Sequence, residues 1–335
     1  MRGSGRFGSR ETRIGLGAVA ALGAAAAMLL GKGRRPSLAM RTMAAVLRVR
    51  RGPTCSPEEL RREYVGRKYP QHAPVSRSLR ALADVVEDRV LGRTVYRLTP
   101  RAGASGWHIV YTHGGAFVHP LGGPNWAIVK QVMRATGATI TVPIYPLAPE
   151  HEHSETFYLL EQIYRDLLQR VAPERIVLCG DSAGGNLALA QALHYRGQAL
   201  PLPGRIILFS PWLDLTMSNP DAAVVERRDV MLRRAELIEW GRWWAGAEDP
   251  RDALLSPIFA DLRGLPPVQI YQGMDDLFLP DARRLGERIE AAGGSVQLHE
   301  TPGGFHVFMG ATFTPEARAV FRRIGESLGT PARAA

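Results

Sequence analysis

Two cysteines in 335 residues, Cys55 and Cys179, are too few for a disulfide-held scaffold. One bond between them stays open on sequence grounds. Cys179 ends an apolar run and reads as a buried thiol acting as a small hydrophobe. Net charge is also missing from most of the chain, once its location is considered. The formal net charge is +10, yet residues 1–51 hold eleven Lys or Arg against the single acid Glu11, while the remainder holds 31 bases and 31 acids. The basicity therefore belongs to an N-terminal arm, and the neutral body lacks the aromatic-interleaved basic face of a nucleic-acid binder, so no nucleic-acid partner is expected. Internal repeats are absent. His151 and His153 form a His-Glu-His step without a third ligand cluster to match, so neither a metal nor another cofactor is expected. Gly3, Gly5 and Gly8 have nucleotide-loop spacing, but no strand precedes them, and the stretch reads as a tail.

With 45% hydrophobic residues, a chain of this length can bury one large α/β core or two small ones. One uncharged apolar stretch, 14–30, stands out, with Arg2, Arg6, Arg10 and Arg13 before it and Lys32, Arg34 and Arg35 after it. Seventeen residues is the lower limit for a membrane span. An N-terminal anchor, a signal peptide, and a surface helix or start-site extension all remain open. Basic residues just beyond the run oppose export. The expectation is membrane association through this arm, on an otherwise cytoplasmic protein. Residues 37–50 form a second basic stretch, in which Leu38, Met43, Val46, Leu47 and Arg50 share one side of a helix. Such a helix suits an anionic lipid surface or packing on the body, so membrane contact is expected through 14–50.

From residue 84 onward, short apolar runs alternate with helical patterns. Strands are predicted at 84–90, 94–98, 107–112, 138–143, 175–179, 205–210, 268–272 and 295–300. Helices are predicted at 57–69, 126–136, 154–170, 185–194, 280–292 and 315–328. This alternation predicts a mostly parallel central sheet flanked by helices. Residues 211–256 break it. There Trp240, Trp243 and Trp244 share a helix face, as core, as a lid lining an apolar pocket, or both.

The chain is organised around Gly180-Asp181-Ser182-Ala183-Gly184, a Gly-x-Ser-x-Gly turn between an apolar strand and a helix. That is the setting of a nucleophile elbow, with the Ser182 hydroxyl at the positive end of a helix. A serine needs a base. Downstream, a turn after one strand carries Asp275 and Asp276, and a loop after the last strand carries His306, so all three can reach one sheet edge. His306 would take the serine proton and an aspartate would hold the imidazole tautomer. Upstream, His113-Gly114-Gly115-Ala116-Phe117 follows a strand. The backbone N–H groups of Gly114, Gly115 and Ala116, with that of Ala183, read as an oxyanion hole.

Together these segments resemble the hormone-sensitive-lipase-like family, the bacterial family IV esterases. The matching pieces are His113–Phe117, Pro143-Ile-Tyr-Pro-Leu-Ala-Pro-Glu150, Gly180–Ala188 with Asp181, Ser210-Pro-Trp-Leu-Asp214, Gly273–Asp281 and Phe305-His306, in the family's order over residues 75–328. The resemblance implies an α/β-hydrolase fold with a helical cap. Its divisions would be a basic tail at 1–36, cap helices at 37–80, and a hydrolase domain at 81–330 carrying a cap insertion at about 211–256. It places the acid on Asp276 through the family pattern Gly-x-x-Asp starting at Gly273. Ala116 stands where many members have a third glycine, which bears on acyl-pocket width. The implied activity is hydrolysis of short- to medium-chain carboxylic esters, of small molecules or lipids, through an acyl-enzyme. Lactone opening and acyl transfer share that chemistry. A non-catalytic binding member of the fold is disfavoured, because His306 is present.

Overall fold

The computed structural model describes residues 35–66 and 71–329. The apolar stretch 14–30 and the basic tail up to residue 34 lie outside the described residues, and no described helix is long and apolar enough to cross a membrane.

Eight strands form one sheet. They are β1 (Ala83–Val90), β2 (Arg93–Pro100), β3 (His108–Thr112), β4 (Thr139–Pro143), β5 (Ile176–Asp181), β6 (Arg205–Phe209), β7 (Val268–Gly273) and β8 (Val296–Thr301), in spatial order β1-β2-β4-β3-β5-β6-β7-β8. The β1–β2 and β2–β4 pairs are antiparallel, and every pair from β4 through β3 to β8 is parallel. The tight turn at Leu91-Gly92 gives β2 its antiparallel return along β1. Helices cover both faces, and alternation along β5 shows why. Val177 and Cys179 pack with Trp126 and Val132 of α3 (Gly123–Thr136) and with Phe321 and Ile324 of α8 (Pro315–Ser327). Ile176 and Leu178 pack on the other face with α4 (His153–Leu168), α5 (Ala183–Gly197) and α7 (Leu279–Ala291). A strand covered on both faces has no polar side, so β5 reads as a continuous apolar run. Cys179 and Cys55 are both free thiols.

A third apolar cluster lies over the carboxyl ends of the strands. Leu60 and Tyr64 of α2 (Pro57–Tyr64) meet Leu237, Trp240 and Trp244 of α6 (Arg234–Ala245), above Phe117 and Trp212. Helix α2 opens on a capping box at Ser56 and Glu59. It ends at Tyr64 rather than continuing to 69, because Val65 turns extended and its N–H returns to Arg61 O; residues 67–70 lie outside the described residues.

Helix α1 (Leu38–Arg50) differs from the sequence expectation in rotation. Met40 is buried, with Met43, Ala44 and Leu47 packed beside it, whereas Leu38, Val46 and Arg50 face solvent. The cap residue sets this. Ser37 accepts Met40 N–H at 3.1 Å, while its own N–H and hydroxyl donate to the Glu316 carboxylate of α8 at 2.6 and 2.8 Å. That clamp fixes the helix about its axis, and periodicity alone could not supply it.

Candidate active site

Strand β5 ends in a turn with almost no free space. Ser182 sits at φ 55°, ψ −121°, a region costing roughly 1–3 kcal/mol for a non-glycine residue. The surroundings hold it there. Ser182 N–H donates to Phe209 O at 2.8 Å, and Ser182 O accepts Asn186 N–H at 3.0 Å as α5 begins. A Cβ at Gly184 would lie 2.0 Å from Thr112 O, and one at Gly180 would lie 2.1 Å from Gly184 O. Gly184→Ala is therefore expected to lower stability by more than about 3 kcal/mol, since the obstruction is backbone on both sides. Thermal unfolding of the purified variant checks this.

The other two side chains come from loops tied to each other. After β7, Met274 N–H donates to Thr301 O at 3.0 Å and Asp275 N–H to Gly304 O at 2.9 Å. Val307, at φ 50°, donates its N–H to Ser210 Oγ at 3.1 Å. The result brings Ser182, His306 and Asp276 together in a buried row. His306 Nδ1 lies 3.1 Å from Asp276 Oδ2, and Nε2 lies 2.9 Å from Ser182 Oγ. An ionised carboxylate only accepts, so Nδ1 carries the hydrogen and Nε2 is left to accept from the serine hydroxyl. Asp276 is fully buried and its Oδ1 also accepts Phe278 N–H at 3.0 Å. Its neighbour Asp275 points outward onto Arg228. Burial draws the His306 pKa down, but Asp276, Asp229 and Asp181 together outweigh it and leave the pKa above its ordinary value of 6.5. A protonated imidazole accepts no proton, so hydrolysis that uses His306 as its base is expected to lose kcat/KM as pH drops through an apparent pKa above 6.5. A pH–rate profile on a small ester tests this, and an acid limb centred below pH 6 would contradict it.

The glycine loop departs from expectation at one atom. Gly114 N–H donates to Asp181 Oδ1 at 2.9 Å, so it does not face the space above Ser182 as an oxyanion donor. The reason is that the Asp181 carboxylate is buried and needs donors. It takes them from Gly114, the Tyr111 hydroxyl and Asn125 Nδ2, the last at 3.1 and 3.3 Å. A Cβ on Gly114 would meet that carboxylate at 2.3 Å. Gly114 and Asp181 thus lock the loop to the elbow, and the next N–H groups, of Gly115 at φ 131° and Ala116 at φ 52°, turn with it. His113 is buried, stacked on Tyr145 at 4.3 Å, and its Nδ1 donates to Gly114 O at 2.7 Å. Burial pushes its pKa down to about 4, so it is a neutral brace. Sequence reasoning missed Tyr111 and Asn125, whose position around Asp181 carries no local signal.

Ser182 and His306 open into a mainly apolar pocket of about 500 Å³, lined among others by Met43, Leu47, Met231, Leu237, Trp240 and Phe313. Of the three tryptophans, Trp240 lines it. Trp244 is buried and stacks on Phe117 at 4.3 Å, and Trp243 Nε1 donates to Glu239 at 3.0 Å. His151 and His153 stand apart from the pocket lining; Nδ1 of His151 meets Glu155 and that of His153 lies 3.3 Å from Trp244 O.

This fold, with a serine at a strand–helix elbow beneath an apolar pocket, defines a hydrolase of the esterase and lipase class. The chain belongs to the alpha/beta hydrolase fold family, whose model matches residues 109–310. It is similar to an esterase of Acinetobacter venetianus, 33% identical over 65% of this chain and 73% of the relative. It is also similar to an acetyl-hydrolase of Streptomyces hygroscopicus, 33% identical over 60% of this chain and 67% of the relative. Among solved structures, an esterase of the bacterial hormone-sensitive lipase family superposes with a TM-score of 0.75 at 27% identity, covering 88% of this chain and 98% of its own. The resemblance to that family read from the motifs therefore holds, and the protein is an ester hydrolase.

Proposed function

We propose that this enzyme hydrolyses short- to medium-chain carboxylic esters through a Ser182 acyl-enzyme, with Ser182, His306 and Asp276 as its triad. The hydrogen-bonded row from Asp276 through His306 to Ser182, opening into an apolar pocket, carries the reading. Ser182 Oγ attacks the ester carbonyl as its proton passes to His306 Nε2. Asp276 keeps the proton on Nδ1 and stabilises the imidazolium. The N–H groups of Gly115, Ala116 and Ala183 receive the negative oxygen, each such donor typically lowering the barrier by about 3 kcal/mol. His306 then protonates the leaving alkoxide, and water, activated by the same imidazole, releases the acid.

Helices α1 and α2 with residues 211–256 act as a cap whose apolar walls receive the acyl chain. The pocket is open at Met231 and Phe313, both exposed, which suits a small-molecule or lipid ester. Incubation with p-nitrophenyl butyrate and a fluorophosphonate should give turnover and a single covalent adduct on Ser182 by peptide mass spectrometry. An adduct elsewhere, or none in an active preparation, removes Ser182 from the role. Lactone opening and acyl transfer use the same intermediate and are separated by product analysis with added alcohol.

The basic arm is proposed to bring the body to an anionic membrane, supported by the uncharged stretch 14–30 between basic flanks. The full-length chain should sediment with membranes and a chain starting at residue 36 should not. Equal detergent-free solubility of the two refutes attachment.

A further inference from the structure

Residues 228–232 touch two parts of the enzyme at once. Met231 and Leu232 line the pocket. The same segment grips the turn that carries Asp276. Asp229 is buried, and its carboxylate is shared between the two sides. Oδ2 accepts Leu277 N–H at 2.7 Å, while Oδ1 accepts the N–H groups of Met231 at 2.6 Å and Leu232 at 2.8 Å. Arg228 adds an outer contact, with Nε 3.5 Å from Asp275 Oδ1 and Nη2 3.4 Å from Met274 O; being exposed, that pair contributes little. From behind, Arg51, the C-cap residue that follows α1, donates Nη1 to Asp229 O at 2.6 Å and Nη2 to Leu232 O.

We propose that Asp229 is a positioning residue that holds the Asp276 turn and the Met231–Leu232 pocket wall in one fixed relation, with Arg51 clamping that wall from the N-terminal side. This rests on the reading of Ser182, His306 and Asp276 as the triad. Asp229 is buried behind Met231 and Leu232, which line the pocket, and so acts through its neighbours. Its place is explained by the three backbone donors it satisfies, one from the acid turn and two from the pocket wall. A buried carboxylate persists only where donors meet its lone pairs, and charge-assisted bonds of this kind are short and directional. The Leu277 bond fixes the peptide following Asp276. Without it a buried N–H loses its partner, and the turn can rotate the Asp276 carboxylate off His306 Nδ1. The same loss releases Met231 and Leu232. Pocket shape and imidazole orientation are thereby set by a single side chain.

Electrostatics gives a signature that packing alone would not. Three carboxylates act on the His306 imidazole: Asp276 from the acid turn, Asp229 from the cap segment and Asp181 from the elbow, against a burial effect of opposite sign. Burial and the neighbouring Asp276 raise the pKa of Asp229 itself, and the N–H bonds from Leu232 and Met231 pull it back toward the ionised form.

Asp229→Asn, made in the full chain, keeps an oxygen for Met231 and Leu232 and turns an amide toward Leu277 N–H. With p-nitrophenyl butyrate, kcat/KM is expected to fall about 10- to 100-fold, the scale of a small misplacement of catalytic groups. Its acid limb should move to lower pH, because one of three carboxylates stabilising the imidazolium is neutral. Arg51→Gln removes the bonds to Asp229 O and Leu232 O but leaves the carboxylate bond to Leu277 N–H in place, so KM should rise several-fold with a smaller change in kcat. Parent kinetics in folded Asp229→Asn, or loss of activity with the acid limb unmoved, overturns the proposal. Should Asp229→Asn fail to fold, Arg51→Gln decides, and a parent KM there overturns it. Ser182→Ala keeps the two ideas apart. If it is inactive while Asp229→Asn matches the parent, only the positioning role fails; if it remains active, the triad reading itself fails.

Discussion

Replacing Ser182 by alanine is expected to lower kcat for ester hydrolysis by about 10⁴- to 10⁶-fold while leaving the fold intact. The hydroxyl is the nucleophile of the proposed reaction, and among the described residues it is the Ser182 Oγ that lies 2.9 Å from His306 Nε2. Alanine meets the same backbone requirement at φ 55° as serine does, so the strain at the elbow is unchanged. The hydrogen bonds that hold the turn are made by backbone atoms of residue 182 and survive the substitution. The unfolding midpoint should stay within a few degrees of the parent, which separates loss of chemistry from loss of structure. Adding His306→Ala to Ser182→Ala should cost little more, because the two side chains act as one unit. Activity above about 1% of the parent would require another nucleophile.

Asp276→Asn is expected to lower kcat by about 10⁴-fold, and Asp275→Asn by less than about threefold. Two adjacent carboxylates are thus expected to differ by thousands in consequence. Asparagine at 276 presents an amide group as well as an oxygen to His306 Nδ1. When the amide donates, the imidazole hydrogen moves to Nε2, which then cannot accept the Ser182 proton. Asp275 faces away from His306 and pairs with Arg228 at the surface, where such pairs contribute roughly 0–1 kcal/mol. Steady-state kinetics on both variants with one ester decides the matter. Equal losses would mean that the turn as a whole, rather than one carboxylate, supports the imidazole.

The parallel sheet, its flanking helices and the elbow were legible because each leaves a local mark. A strand buried on both faces must be apolar throughout, as Ile176–Cys179 is. A turn with backbone packed against Gly180 and Gly184 must have glycine there, since any Cβ would strike a carbonyl oxygen. A hydroxyl, an acid and a base on loops after successive strands can reach one edge of a parallel sheet, whatever the helices between them. Those constraints act within a few residues or through strand order, so the amino-acid sequence alone determined the fold class and the set of candidate groups.

Tertiary structure decided which atoms of those groups are available. From the residues alone Asp275 and Asp276 were equivalent, and only the family resemblance chose between them; they part because β8 and its loop bury one and leave the other on Arg228. Gly114 seemed an oxyanion donor until Asp181, 67 positions away, claimed its N–H. Helix α1 was rotated by a serine clamped to Glu316, 279 positions on. Asp229 lies in the stretch that breaks the alternation and Arg51 just past the end of a helix, and their meeting across 178 positions leaves no local pattern to mark either. A hydrogen bond between distant residues depends on how whole elements dock, and docking is fixed by the summed packing of many side chains rather than by any repeat near either partner.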